Sequence, residues 1–187
     1  MVLYIHGFAG SGLGVKARLV RERFGAEAMA PSLPYIPELA VDTLEQIIKR
    51  CLANGKVHLI GSSLGGFYAT HLAEKYGLKA VLVNPSTEPW KTLEPWTGFV
   101  KHFHDLSHFE WTPSHIRTLR ALDPYPVKNG ADYLLMLQKD DELLDYRLAL
   151  RKYPGARTIL EEDGGHAYEG FENHLDAITN FFGSVTL

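Results

Sequence analysis

At 187 residues the chain can build one domain with a full hydrophobic core and is too short for two of ordinary size. With 45% hydrophobic and 22% charged residues it falls outside the disordered and fibrous classes, and a net charge of -3 supplies no basic field for nucleic acid or anionic lipid. Cys51 is the single cysteine, which excludes a disulfide scaffold, and Val2-Leu3-Tyr4-Ile5 followed by a glycine break at Gly7 reads as neither a signal peptide nor a membrane span. The expectation is a cytoplasmic protein whose partners are small molecules.

Val2 to Ile5 predicts a buried strand that runs into the glycine-rich loop His6 to Gly12, which in turn opens a helix through about Phe24. Ala26 to Ala30 suits a second short strand. Pro31, Pro34 and Pro37 hold the chain extended before a helix from about Glu38 to Ala53, whose inner face is expected to carry Leu39, Leu44, Ile47, Ile48 and Leu52. Val57 to Ile60 is the third strand, Phe67 to Tyr76 carries helical spacing, and Ala80 to Val83 is the fourth strand, closed by Asn84-Pro85. From there to about Pro126 the texture changes: six prolines punctuate a segment holding all three tryptophans and four of the nine histidines, which reads as a cap-like insertion into a single 1–187 domain. Tyr133 to Leu137 (strand), Leu143 to Tyr153 (helix), Arg157 to Leu160 (strand) and Phe171 to Phe182 (helix) complete the chain. Strands alternating with helix-length segments predict an α/β protein in three layers, with about six mostly parallel strands and helices on both faces. Ligands of such sheets bind beyond the strands' carboxyl ends.

Between the third strand and its helix stands Gly61-Ser62-Ser63-Leu64-Gly65. A G-x-S-x-G turn at a strand-to-helix junction is a nucleophile elbow, which lifts the serine hydroxyl clear of the sheet on a strained backbone. Centring the pattern on Ser62 would need glycine where Ile60 and Leu64 stand, so Ser63 is the candidate nucleophile. A merely flexible glycine-serine turn is the alternative, and the flanking strand and helix count against it.

A serine hydroxyl needs a base and a carboxylate to orient that base, and behind an elbow these follow in the order acid, then histidine. His6 and His58 lie upstream, His71 lies on the elbow helix and His174 on the last helix. His166, in Asp163-Gly164-Gly165-His166 after the final strand, is the candidate base. For the acid, Asp141 lies early in the turn after Leu137; Asp140 is the second choice, and Asp163 is disfavoured because it shares the histidine's loop. The N–H groups of Leu64 and Phe8 are the candidate oxyanion donors.

Other chemistries fit poorly. The first loop lacks the lysine-serine ending of a phosphate-binding loop and the spacing of a dinucleotide fingerprint, so no cofactor is expected. Lys101 to Trp111 is rich in histidine but has no metal-ligand spacing, so no metal is expected. Trp90, Trp96, Trp111, Phe99, Phe103 and Phe109 have two readings, as the lining of an acyl pocket or as packing of the insertion onto the core.

Taken together, Leu3 to Phe8, Gly61 to Phe67, Val83-Asn84-Pro85, Asp141 to Arg147 and Gly164 to Ala167 resemble the small YqiA-type bacterial esterases of the α/β-hydrolase superfamily over nearly the whole chain. The resemblance implies a six-stranded hydrolase core without the first antiparallel strands. It also implies cleavage of carboxylic esters or thioesters, such as acyl-CoA or short-chain acyl esters, with Ser63, Asp141 and His166 as the triad. Rival expectations are a peptidase using the same triad and a binding module without catalysis.

Overall fold

The computed structural model describes residues 1–183. Its elements in chain order are β1 (Val2–Ile5), α1 (Val15–Phe24), β2 (Ala28–Met29), α2 (Pro37–Leu52), β3 (His58–Ser62), α3 (Leu64–Tyr76), β4 (Lys79–Val83), α4 (Pro89–Thr92), β5 (Gly98–Lys101), β6 (His108–Trp111), α5 (Pro113–Ala121), β7 (Tyr133–Gln138), α6 (Tyr146–Lys152), β8 (Arg157–Glu161) and α7 (Leu175–Phe182). Six strands form one sheet in the order β2-β1-β3-β4-β7-β8, and every pairing in it is parallel. This is the α/β-hydrolase fold.

The central strands are apolar at nearly every position because both of their faces are covered. Side chains alternate across the sheet. Leu3, Ile5, Leu59, Leu82 and Leu135 point to one face, where Leu44 and Ile48 of α2 and Leu72 of α3 meet them. Val2, Tyr4, Ile60, Val81 and Met136 point to the other, against Val20 and Phe24 of α1 and Ile178 and Phe182 of α7. Each fully buried leucine or isoleucine contributes about 1.5–3 kcal/mol relative to exposure, so the two cores together hold the three layers.

Between β4 and β7 the chain builds the insertion. Strands β5 and β6 pair as an antiparallel hairpin, and α5 follows behind a capping box in which the Thr112 hydroxyl accepts the His115 N–H. Trp111 is fully buried and donates its indole N–H to Leu93 O at 3.2 Å. The buried Lys152 of α6 donates to Thr87 O at 2.8 Å and to Asp123 Oδ1 at 2.6 Å, so one ammonium holds the beginning and the end of the insertion.

Several boundaries differ from expectation. The second strand is only Ala28–Met29, because Gly25–Glu27 turn as a 3-10 helix. On α2, Leu39 and Leu52 are exposed, and the inner face is Ala40, Val41, Leu44 and Ile48. At about 100° per residue Leu39 lies about 140° from Leu44, on the solvent side. Helix α6 starts at Tyr146, where Asp145 caps it by accepting the Arg147 N–H at 2.9 Å. His174 ends a separate 3-10 turn before α7. Among the described residues no helix is long and apolar enough to cross a membrane.

Candidate active site

Ser63 stands between β3 and α3 with φ 55° and ψ -121°, a conformation that side chains rarely adopt. The surroundings enforce it. Ser63 N–H donates to Val83 O at 3.0 Å, and Ser63 O accepts the N–H groups of Gly66 (2.9 Å) and Ser86 (3.0 Å). A Cβ on Gly65 would lie inside the van der Waals envelope of Ile5 O and His6 O, and one on Gly61 would meet the Gly65 carbonyl. The elbow spacing is thus demanded by backbone lying against backbone.

Two other strand-end loops bring their residues to this point. His166 Nε2 lies 2.9 Å from Ser63 Oγ, and His166 Nδ1 lies 2.9 Å from Asp141 Oδ2 and 3.0 Å from Oδ1. A carboxylate can only accept, so the proton sits on Nδ1 and Nε2 is left to accept from the serine hydroxyl. The Asp141 side chain is 2% exposed, and its Oδ1 also accepts the N–H groups of Leu143 and Leu144, both at 2.9 Å. These bonds fold the loop around the carboxylate and delay the start of α6. Of the acids weighed from sequence, Asp141 is the one against the imidazole. Glu142 accepts the His166 backbone N–H at 2.9 Å, a bond that holds its carboxyl below the usual range.

Leu64 is the first residue of α3, so its N–H has no intrahelical acceptor. Phe8 follows Gly7, whose backbone lies so close to the serine that a Cβ there would be 3.1 Å from Ser63 Cβ. Two features missed from sequence hold this loop. His6 donates from Nδ1 to Gly7 O at 2.8 Å and accepts the Leu33 N–H on Nε2 at 2.9 Å; burial lowers its pKa, favouring the neutral form these bonds require. The Phe8 ring packs edge-on against Trp111, Phe109 and Trp96 at centroid distances of 4.8, 5.7 and 6.3 Å, tying the loop to the insertion. Alternating aromatics in the insertion were the available signal, but no local pattern says which ring meets which.

Phe8, Ser63, Leu64 and His166 all line one cleft of about 670 Å³. Its walls include Leu93, Trp96, Phe103, Leu143 and Leu144, and Lys16 enters from α1, donating to Ala167 O. The six aromatics of the insertion therefore divide. Trp96 and Phe103 line the cleft, Trp111 and Phe109 are buried in the packing, Trp90 meets Phe67, and Phe99 is 83% exposed. Among the described residues no three His, Cys, Asp or Glu side chains gather as a metal site.

Known proteins resemble this chain along its length. A "UPF0227 protein" of Serratia proteamaculans is 22% identical over 193 residues, covering 97% of this chain and 98% of the relative. Among solved structures, mouse alpha/beta hydrolase domain-containing protein 10 superposes with a TM-score of 0.74 at 18% identity, covering 99% of this chain and 90% of its own. Est1E from Butyrivibrio proteoclasticus with ferulic acid bound superposes with a TM-score of 0.71 at 12% identity, covering 96% and 86%. At these identities the superpositions speak to fold, which is that of esterases and other hydrolases. The family model described as "Uncharacterised protein family (UPF0227)" matches residues 1–183, and the chain belongs to that family.

Proposed function

We propose that the protein is a serine hydrolase that cleaves carboxylic esters or thioesters through an acyl-enzyme on Ser63. The observation that carries this reading is the unbroken row from Ser63 Oγ through His166 to Asp141, with both links at 2.9 Å. Ser63 Oγ attacks the substrate carbonyl carbon while His166 Nε2 takes the hydroxyl proton, and the carbonyl π pair moves onto oxygen. Asp141 holds the imidazole tautomer and offsets the positive charge that forms on the ring. The N–H groups of Phe8 and Leu64 receive the oxyanion, where one such donor is worth ~2.7–4 kcal/mol. Collapse of the intermediate expels the alcohol or thiol, which leaves with the proton from Nε2. Water then repeats the sequence on the acyl-enzyme, releasing the acid and restoring the serine.

The apolar wall formed by Leu93, Trp96 and Phe103 supports an apolar or aromatic acyl group. Ferulic acid bound on the same fold in Est1E is compatible with that class. Ser63→Ala tests the assignment. Turnover of an activated acyl ester is expected to fall by on the order of 10⁴-fold or more, with the fold retained and covalent labelling by a fluorophosphonate lost. Undiminished hydrolysis by this variant removes Ser63 from the role.

A further inference from the structure

His166 is carried by a segment that opens on two glycines, Gly164 at φ 100° and Gly165, and has one turn bond of its own, from the Tyr168 N–H to Gly165 O at 3.0 Å. Something outside the segment must hold it. Asn84, 3% exposed at the end of β4, donates from Nδ2 to Gly165 O at 3.0 Å and to His166 O at 3.3 Å. Its Oδ1 accepts the Gln138 N–H at 3.0 Å, at the end of β7 and just before the Asp141 loop. Gln138, 2% exposed, continues the chain of contacts. Its Oε1 accepts the Glu169 N–H at 3.0 Å, and its Nε2 donates to Glu169 O at 2.8 Å and to Glu161 Oε2 at 2.7 Å. Asn84 is also one residue beyond Val83, whose carbonyl accepts the Ser63 N–H.

We propose that Asn84 and Gln138 are positioning residues, a buried pair of amides that grips the His166 segment on both sides and sets the imidazole between Ser63 and Asp141. The proposal rests on the acyl-transfer reading above. An amide suits the position of Asn84, because its NH2 has two donors for two carbonyl oxygens while its oxygen accepts one N–H. Asparagine also tolerates the φ of 39° found there. Gln138 grips both backbone polar groups of Glu169, its N–H and its C=O, as a neighbouring strand would. The Asn84 side chain thereby ties the histidine segment to the end of β7, while the neighbouring Val83 carbonyl reaches Ser63 through the main chain.

Asn84→Asp is the sharpest test, since it keeps volume and backbone preference and turns an oxygen toward the carbonyls of Gly165 and His166. Displacing a reacting group by about 1 Å costs on the order of 10²-fold, so fluorophosphonate labelling and kcat are expected to fall by that factor with KM unchanged. A low-field proton resonance from the His166–Asp141 bond is expected in the wild type and is expected to vanish in Asn84→Asp, while the thermal midpoint stays above assay temperature. Gln138→Met is expected to act in the same direction and carries the test if Asn84→Asp does not fold. Labelling within about threefold of wild type with the resonance unchanged overturns the proposal, and so does a loss confined to KM. If the wild type itself is not labelled, the serine reading falls, and persistence of the resonance in Asn84→Asp then overturns the positioning role separately.

Discussion

The elbow and the insertion answer to different constraints. In the elbow, Gly61 and Gly65 are fixed by main chain pressed on main chain, and a single methyl has nowhere to go. In the insertion, residues are fixed by side-chain packing: along β6, Phe109 and Trp111 are buried while His108 and Glu110 face water. Sub-ångström tolerance belongs where bonds are to be made and broken, whereas a packed wall can change volume and still be a wall. On the function proposed above, the chemistry belongs to the first region and the selectivity to the second.

The hardest blow to that contrast is Gly65→Ala. Its methyl would enter the space of Ile5 O and His6 O, so a loss of about 4 kcal/mol or more is expected in urea unfolding, with labelling of Ser63 abolished. A methyl accommodated without loss would erase the claimed rigidity.

Next comes Lys152→Met, which removes the ammonium shared by Thr87 O and Asp123 and leaves a largely buried carboxylate unpaired. A cost of about 3 kcal/mol is expected, partly recovered in the double variant with Asp123→Asn. If labelling of Ser63 proceeds at the wild-type rate in the surviving folded protein, the two regions are separable.

Acid offers a third probe. Burial lowers the pKa of His58, stacked on Phe182, to about 4, and lowers that of His6 as well. Both are neutral in the fold, while the unfolded chain takes up their protons near about 6.5. The stability they permit is full above that value and drains as pH falls toward about 4. Thermal midpoints between those limits should decline, and His58→Phe, which keeps the stacking, should flatten part of the slope. Equal slopes would assign the acid sensitivity elsewhere.

The smallest effect is expected at Phe99, 83% exposed on β5 and absent from the cleft wall. Phe99→Ser should move stability by no more than about 0.5 kcal/mol and leave kcat/KM alone, whereas Phe103→Ser should raise KM for apolar acyl esters. Equal responses would mean that the insertion does not discriminate by which ring faces the cleft.

How much could be read in advance follows the same division. Strand positions and the elbow were legible because glycine spacing and apolar runs are local signals imposed by local sterics, whereas His166 and Asp141 were singled out by chain order and by their place on strand-end loops. The β5–β6 hairpin was not, although His108 to Trp111 alternates polar and aromatic residues as a half-buried strand should. Prolines around it marked the segment only as a cap-like insertion. The solvent position of Leu39 was misjudged because apolar identity was weighed above helical angle. Glu142 holds the His166 N–H, a partner supplied by another loop. Such long-range pairings leave no periodic trace.

Because Thr87 O and Asp123 are gathered by one ammonium, the insertion leaves and rejoins the body of the molecule at nearly the same place. A segment closed at its root in this way can be exchanged like a cassette. On the function proposed above, a replacement that returns to the same lysine and keeps rings against Phe8 would bring its own acyl preference to this body without recutting the sheet beneath.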